Sequence, residues 1–273
     1  MSTIRHLAEA PTGRRPLASG AGIDAHRHDN HQIVYACRGV LSVTTDAGTW
    51  VAPANRAIWV PSGTVHRHLA HGDTDLRLVG LTENPLALDR PAVLAVGPLL
   101  RELIIAYTAD PAGDRTGNHA GEQAQDGDGR GHGHWHGHRG RDGRERARLL
   151  AVLLDQLRRA PEQPLHLPTA RDSRLAAVCD ALHRDPADNS TLARLAARTG
   201  TSDRTLARLC RAELGMSFPQ WRTQLRLHHA LLLLADGEPV TTVAHRCGWA
   251  SASAFIDVFR RAFGYTPGRA FTL

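Results

Sequence analysis

Histidines at short, regular spacings mark two stretches near the N-terminus of the 273-residue chain. The first contains His26-x-His28, and in the second His66 follows a Pro61-x-Gly63 turn. Residues i and i+2 of a strand face the same side, so His26 and His28 can point together into one pocket. A third imidazole from a distant strand would complete a nitrogen-rich set of ligands for a transition metal. A metal-free pocket in which the histidines form hydrogen bonds is the alternative that this pattern leaves open.

Four alternating histidines form a separate run within the Gly-rich residues 111–143. This composition cannot bury a core, so we expect a disordered insertion there. The run could collect Ni²⁺, Cu²⁺ or Zn²⁺ weakly, and a tolerated insertion without a function is the alternative. The residues of this secondary candidate site are His132, His134, His136 and His138.

Short β-rich runs must position the first histidine set. They extend over residues 23–81, separated by Gly, Pro, Asp and Asn, which predicts a small barrel or sandwich. Leu and Ile spacing predicts helices over residues 97–109 and 144–160. We expect these helices to cover the barrel, and the pattern leaves open whether they also form a dimer surface.

Three prolines (Pro161, Pro164 and Pro168) predict a stiff, extended linker before a helix that starts near Ser173. The predicted division of the chain is a barrel with its first packing helix (1–110), the insertion (111–143), a packing or dimerisation helix (144–160), the linker (161–171) and a helical domain (172–273).

The C-terminal third contains an internal repeat. Residues 191–218 and 239–267 place apolar residues at the same offsets from Gly200 and Gly248, and again from Ser202 and Ser251. Each copy predicts a short helix, a tight turn with Gly, and a second helix capped by Ser, which is the helix-turn-helix arrangement. A long helix over about 218–235 joins the copies. Hairpins used only for packing are the alternative, and the duplication argues against it.

The excess of positive charge in the chain lies on this repeated segment. The chain has 33 Lys+Arg against 27 Asp+Glu, a net charge of +6. From residue 191 onward there are 11 Arg against five acidic residues, also +6, so residues 1–190 are balanced. Such an excess is expected of a surface that meets phosphate, and an ordinary solvated helix face would not explain its confinement.

Residues 172–271 resemble the AraC-type DNA-binding domain, on the strength of LARLAARTGTSDRTLARLC and VAHRCGWASASAFIDVFRRAFGYTP. The resemblance implies two helix-turn-helix units, joined by a linker helix, in a protein that binds promoter DNA and regulates transcription.

In a helix-turn-helix unit, the second helix enters the major groove. Arg204 and Arg208 can each form two hydrogen bonds with guanine. The second copy has fewer long donors at the start of its helix, so we expect it to contact mainly phosphates. Leu206 and Phe255 are predicted to be core residues. The predicted DNA-contacting residues are Ser202, Asp203, Arg204, Thr205, Arg208, Arg211, Ser251, Ser253, Ala254, Asp257, Arg260 and Arg261.

The histidine pattern resembles the two motifs of the cupin barrel, in which two His and a Glu of the first motif and a His of the second hold a metal. Gln32 stands where the family has Glu, so the anionic ligand is lost, and Asn55 replaces the Gly that opens the second motif. By position the metal ligands would be His26, His28, Gln32 and His66, with His31 and His68 as further candidates.

Together these features predict an α+β multidomain protein: an N-terminal cupin-like β-barrel with flanking helices, and a C-terminal all-α domain of two helix-turn-helix units joined by a long helix. The predicted function is a dimeric, sequence-specific regulator of transcription whose promoter binding responds to an effector in the barrel. That effector would be a transition metal such as nickel, zinc or copper, or alternatively a small organic ligand. RNA polymerase would be a further partner of an activator.

Two other classes of function are alternatives to a transcription regulator. A metal-dependent cupin enzyme fused to a DNA-binding module would need an anionic ligand, and Gln32 argues against it. A metal-storage protein or metallochaperone would not need the basic repeat. We therefore predict no enzymatic activity. With no apolar stretch of eighteen residues and no apolar run at the N-terminus, we expect no membrane span and a cytoplasmic location.

Overall fold

The N-terminal half is built on one curled sheet, which we call the barrel. The computed structural model describes residues 4–109, 138–163 and 166–269. The strands of this described part are β1 (Arg5–Leu7), β2 (Gly13–Leu17), β3 (Gly22–His28), β4 (His31–Thr45), β5 (Gly48–Pro53), β6 (Arg56–Val60), β7 (His66–Leu81), β8 (Ala92–Ala95), β9 (Glu162–Gln163) and β10 (His166–Pro168). Neighbouring strands follow the order β1-β3-β7-β4-β6-β8-β9, while β2 pairs with β7, and β5 pairs with both β4 and β10.

The long strand β4 is apolar on both faces because both faces are covered. Val34 and Ala36 belong to an apolar cluster formed almost entirely by strands of the sheet. Ile33 and Tyr35 face the other way and pack against helices. Side chains alternate between the faces of a strand, so a strand between two cores reads as a continuous apolar run rather than an alternating one.

Two helices cover this outer face: α1 (Pro98–Thr108) and α2 (His138–Arg159). Leu100 and Ile104 of α1 and Leu153 and Leu157 of α2 are buried in the cluster that includes Ile33. The structure confirms both predicted helices, and α2 begins at His138 rather than at residue 144.

Part of the predicted linker, residues 161–171, is paired with the barrel. Strand β9 is antiparallel to β8, and β10 is antiparallel to β5, with Leu167 opposite Thr49. Gly48 permits the close approach, because a Cβ on this residue (φ +151°) would collide with the Leu167 carbonyl. The segment therefore shares the hydrogen bonds of the sheet, which a solvated linker would not.

The C-terminal half is helical, as predicted. Its helices are α3 (Ser173–Arg184), α4 (Leu192–Arg198), α5 (Asp203–Glu213), α6 (Phe218–Ala235), α7 (Val240–Arg246) and α8 (Ala252–Phe263), followed by a short 3-10 helix (Pro267–Arg269). Helices α4 and α5 form the first helix-turn-helix unit, α7 and α8 form the second, and α6 joins them over the predicted residues.

The same local signals shape both units. Gly200 and Gly248 end the first helix of each unit with φ of +66° and +73°, a conformation that glycine adopts without strain. The Ser202 hydroxyl accepts the backbone N–H three residues ahead at 3.2 Å, and the Ser251 hydroxyl does the same at 3.1 Å. These bonds cap α5 and α8 and confirm the repeat.

The barrel packs directly on the helical half. Val40 and Val51 of the barrel share one buried cluster with Leu227 and Leu231 of α6 and with residues of α7 and α8.

Across the described residues, no helix combines the length and the apolarity needed to cross a bilayer.

Candidate metal centre and nucleic-acid interface

Four histidines meet inside the barrel where β3 and β7 pair. His26 lies directly opposite His66 in the antiparallel register. His28 and His68 lie two residues further along their respective strands and face the same side. The four side chains are almost completely withdrawn from solvent, with exposed fractions of 4% or less.

Three of the four rings are close enough to share one ion, and the ring of His28 lies beside them. The candidate ligand nitrogens of His26, His66 and His68 all lie within 4.8 Å of one another. The ring centroids of His26 and His66 are 4.3 Å apart, and the His28 ring lies 5.0 Å from that of His66. Zn–N bonds are about 2 Å long and the ligands stand tetrahedrally, so nitrogens that share one ion lie about 3.3 Å apart. Nitrogens within 4.8 Å of one another can reach this geometry through small rotations of the rings.

Hydrogen bonds fix the tautomers of three of these rings. Nδ1 of His26, His28 and His66 lies 2.8, 2.6 and 2.9 Å from a backbone carbonyl two residues away. A carbonyl only accepts, so each Nδ1 carries the proton and each Nε2 presents a lone pair. In the described part of the chain, Nε2 of His28 and His66 and both nitrogens of His68 have no hydrogen-bond partner. Buried polar atoms are normally satisfied, so this set of nitrogens fits a metal.

Burial keeps three rings of the cluster uncharged, those of His28, His66 and His68. Desolvation lowers the pKa of His66 to about 4, and the neighbouring His26 and His28 lower it further. Burial likewise lowers the pKa of His28, and it holds the pKa of His68 well below the ordinary value. The neutral imidazole is the form that binds metal. At neutral pH, therefore, no proton has to leave these three rings before an ion binds.

Gln32 and His31, which the sequence also predicted as metal ligands, differ in their positions relative to the cluster. Gln32 is fully buried beside His28; its Nε2 donates to a backbone carbonyl at 3.1 Å, and its Oε1 has no partner among the described residues. His31 is not part of the cluster, which corrects its assignment as a further ligand. Its ring stacks on Trp59 at 5.0 Å, and its Nδ1 accepts the Ser62 N–H. Adjacent strand residues face opposite sides, so Gln32 and His31 cannot point into the same site.

His68, a further candidate in the sequence, belongs fully to the cluster. The signal for it was present, because His66-x-His68 repeats the spacing of His26-x-His28. His132, His134 and His136 lie outside the described residues. His138 is the first residue of α2, and its side chain is likewise outside the described part.

A cavity of about 350 Å³ adjoins the cluster. His26, His68 and Gln32 form part of its wall, and the charged residues that line it are Arg5, Arg15 and Asp24. A volume of this size is sufficient for a small organic molecule.

The second helix of each helix-turn-helix unit presents a polar surface. Every predicted DNA-contacting residue is exposed except Thr205, which is half-buried. Leu206 and Phe255 are fully buried on the opposite faces of α5 and α8, as predicted. The apolar face of each helix is therefore used for packing, and the polar face is left available for a partner.

The two surfaces differ in how their charges are paired. On α8, Arg260 lies 3.7 Å from Asp257, an exposed pair one turn apart. On α5, neither Arg204 nor Arg208 forms an ion pair with any described residue. A nucleic acid could therefore bind these two guanidinium groups on α5 without breaking an existing ion pair.

Arg226 of the joining helix α6 contacts both the loop before the first helix-turn-helix unit and the second unit, a role that the sequence did not indicate. Its Nε donates to the Pro186 carbonyl at 3.0 Å and its Nη2 to Asn189 Oδ1 at 2.9 Å, on the loop before the first unit. Its guanidinium also fills the space that a Cβ on Gly248 would need, and it lies 5.9 Å from the ring of Trp249 in the second unit. A single, largely buried guanidinium thus links the loop between α3 and α4 to the second unit.

A second set of contacts links the barrel to the end of α8. Asn55 Nδ2 donates to the Phe263 carbonyl at 3.0 Å, and Arg56 Nη2 approaches the same oxygen within 3.5 Å. On the far side of this interface, Ser19 Oγ donates to Asp236 Oδ1, next to the end of α6. The barrel therefore contacts both the joining helix and the second unit.

Both halves of the chain are similar to known proteins. Residues 15–82 match the family model described as a cupin domain, and residues 195–272 match a helix-turn-helix domain. The HTH-type transcriptional regulator NimR of Escherichia coli (strain K12) is 31% identical over 247 residues, which is 89% of this chain and 80% of that protein. A putative AraC-like transcription regulator of Streptomyces antibioticus is 34% identical over 122 residues, 44% of this chain and 40% of that protein. The crystal structure of a DNA-binding transcriptional dual regulator from Escherichia coli K-12 is 32% identical, with a TM-score of 0.34, over 37% of this chain and 92% of that chain.

The similarity to NimR extends over most of both proteins, and the two family models coincide with the barrel and with the duplicated helical units. The chain therefore belongs to the AraC family of helix-turn-helix transcriptional regulators, with an N-terminal cupin domain, and it is a DNA-binding regulator rather than an enzyme.

Proposed function

We propose that this regulator responds to a divalent transition metal, nickel, zinc or copper, held in the barrel by His26, His66 and His68 with His28 beside them. The supporting observation is the group of buried ring nitrogens that face one another without hydrogen-bond partners in the described residues. Imidazole suits all three metals. Histidines of both β3 and β7 would coordinate the bound ion, which would hold the two strands together. The ion would also satisfy ring nitrogens whose burial without a partner costs free energy.

Calorimetric titration of the full-length protein with Ni²⁺, Zn²⁺ and Cu²⁺ tests this proposal. We expect one tight site per chain, with affinity at least tenfold weaker in His66→Ala and unchanged in His31→Ala, a histidine outside the cluster. We propose weaker metal binding by the run of four alternating histidines. A variant with His132→Ala, His134→Ala, His136→Ala and His138→Ala removes that binding and so distinguishes it from binding in the cluster. Equal loss in His31→Ala and His66→Ala would exclude the cluster as the site.

For DNA, we propose that α5 and α8 enter successive major grooves on one face of the duplex, about 34 Å apart. Arg204 and Arg208 would read guanine, and Arg260 and Arg261 would bind phosphates. The unpaired guanidinium groups on α5 and the Asp257–Arg260 pair on α8 support this division of roles. The other proposed contacts are Ser202, Asp203, Thr205, Arg211, Ser251, Ser253, Ala254 and Asp257.

The barrel would influence DNA binding through its contact with α6 and α8. An effector shifts DNA occupancy only if it binds one arrangement of the two halves better than the other. In one such arrangement, Asn55 and Arg56 contact the end of α8. These contacts would change if the barrel moved relative to the helical half. The reciprocal effect follows from linkage: DNA must change metal affinity by the same factor.

We also propose a homodimer that forms through α1 and α2. Leu99 of α1 and Val152 of α2 are 55% and 45% exposed, and large apolar side chains on neighbouring helices suit a partner copy. As a promoter-binding regulator the protein would act in the cytoplasm, and RNA polymerase would be its partner if it activates transcription.

A small organic ligand is the second candidate effector. The observation in its favour is the cavity of about 350 Å³ beside the histidines, which is within the usual size range of ligand pockets.

A further inference from the structure

Strand β2 turns one arginine into the cavity and its neighbour away from it. Arg15 lines the cavity, while Arg14 pairs with Asp75 at 2.9 Å on the other side of the strand. Successive side chains of a strand point to opposite faces, so this division follows from the register. Arg15 has no ion-pair partner within the described residues, and its charge is one of the influences that lower the pKa of His68, after burial and the neighbouring histidines.

Strand β1 repeats this arrangement. Arg5 lines the cavity and lies opposite His26 in the parallel register with β3. The next residue, His6, faces outward and bonds to Asp29 at 2.8 Å. The structure gives Arg5 no carboxylate partner in the part of the chain that it describes. With Asp24 as the acidic residue on the wall, the lining carries two positive charges and one negative charge.

The inner end of the cavity holds a buried acceptor. Gln32 is 0% exposed and its Nε2 is already engaged with the Pro11 carbonyl. Its side chain lies beside His28, and its Oε1 forms no hydrogen bond of ordinary geometry with any described residue. An unsatisfied buried carbonyl oxygen is costly unless a ligand or water donates to it.

Apolar side chains line the cavity between these polar ends. Leu7, Pro11, Ile23, Ala25 and Leu78 all contribute to the wall. An inorganic anion would leave this surface without contact, whereas the carbon skeleton of an organic molecule would cover it.

We propose that this cavity binds a small organic acid, whose carboxylate lies between Arg5 and Arg15 and whose skeleton lies on the apolar wall. A hydroxyl on the skeleton donates to Gln32 Oε1. Arginine matches a carboxylate in shape and charge and can bind it with two parallel hydrogen bonds. The regulatory meaning of this site rests on the proposed function, because the acid acts as an effector only if the barrel controls DNA binding. The carboxylate contacts themselves do not depend on metal, since Arg5 and Arg15 lie outside the proposed ligand set, although His26 and His68 of that set also line the cavity.

The test uses full-length protein, metal-free and zinc-loaded, titrated by calorimetry with benzoate, 4-hydroxybenzoate, phenylacetate and hexanoate, each beside its uncharged amide. At least one acid should bind tenfold or more tightly than its amide, with an affinity that weakens as salt is raised. 4-Hydroxybenzoate should bind more tightly than benzoate, and equal binding of these two would overturn the role of Gln32. If no acid is preferred over its amide, the site does not exist.

Matched arginine variants locate the binding. Arg15→Gln should weaken the preferred acid at least tenfold, while Arg14→Gln, one residue away on the outer face, should leave it within twofold. Equal effects of the two variants would overturn the assignment. His66→Ala distinguishes this site from the metal site: acid binding should persist while metal binding is lost. If the wild type binds acid but no metal, the metal proposal fails and this one stands; if it binds metal but no acid, the reverse holds.

Discussion

The side-chain nitrogen of Asn55, in the turn just before the barrel strand β6, donates to the carbonyl of Phe263, the last residue of α8, at 3.0 Å. The final carbonyls of a helix have no partner within the helix, and they carry the negative end of its dipole. The Asn55 amide and the nearby guanidinium of Arg56 satisfy this end. The barrel thus contacts the helix that we propose to lie on DNA.

Asn55→Ala should reduce the change in DNA affinity that metal produces. A typical intramolecular hydrogen bond contributes about 0.5–1.5 kcal/mol, so we expect the ratio of the two DNA affinities to move by about two- to tenfold. Fluorescence anisotropy with labelled promoter DNA, with metal and with EDTA, measures it. Asn84→Ala is the control, because its amide bonds to the Leu88 carbonyl within the barrel. Identical behaviour of the two variants would show that the Asn55 contact plays no part in coupling.

Arg226→Ala should loosen the second helix-turn-helix unit from the loop that precedes the first. The change leaves the Pro186 carbonyl and the Asn189 side chain without their donor, and we expect a loss of about 1–3 kcal/mol in the free energy of unfolding. Arg226→Lys should not restore the loss, since an ammonium cannot reproduce the planar fork. Urea unfolding measures both variants against Arg184→Ala, an exposed arginine on α3. Full stability in Arg226→Ala would contradict the linking role.

Arg204→Ala should relax sequence preference at one position of the operator. A bidentate contact with guanine discriminates by about 1–3 kcal/mol, so affinity for the preferred operator should fall while affinity for its substituted version changes little. Competition binding with operators altered one base pair at a time measures this effect. Uniform weakening across all operators would instead identify Arg204 as a phosphate contact.

Acid should destabilise the helical half through His229. Burial, followed by the nearby His183, lowers the pKa of His229 to about 4, against about 6.5 when unfolded. Between these values the unfolded chain binds more protons, so stability falls as pH falls from about 6.5 to 4. The residue is partly accessible, and we expect this contribution to reach about 1–3 kcal/mol. His229→Gln should make the pH dependence of urea unfolding shallower over this range, without abolishing it, because the pKa of the buried His66 is also lowered to about 4. An unaltered slope would contradict the assignment.

Local signals in the sequence determine much of the helical half. Gly200 and Gly248 take the positive φ that ends a helix, and Ser202 and Ser251 cap the following helices, because such preferences depend on a few neighbouring residues. The start of α6 follows in the same way from its capping box at Ser217.

The features that the sequence did not reveal depend on distant contacts. Asn55 and Phe263 are separated by 208 positions, and no local pattern relates them. Strand β10 is too short to show periodicity, so its pairing with β5 was not expected. In the histidine cluster, the i, i+2 rule identified His26 and His28, but the face occupied by His31 depended on where β4 begins.

The central claim is that metal in the histidine cluster and DNA on the helical half are linked. The direct measurement is the dissociation constant for DNA upstream of the protein's own gene, by fluorescence anisotropy, in EDTA and in saturating Ni²⁺ or Zn²⁺. The account predicts a change of about fivefold or more, typical of an allosteric coupling energy of at least 1 kcal/mol. It also predicts that this change disappears in the double variant His26→Ala, His28→Ala, while that variant still binds DNA. An identical constant with and without metal, or an undiminished change in the double variant, would contradict it.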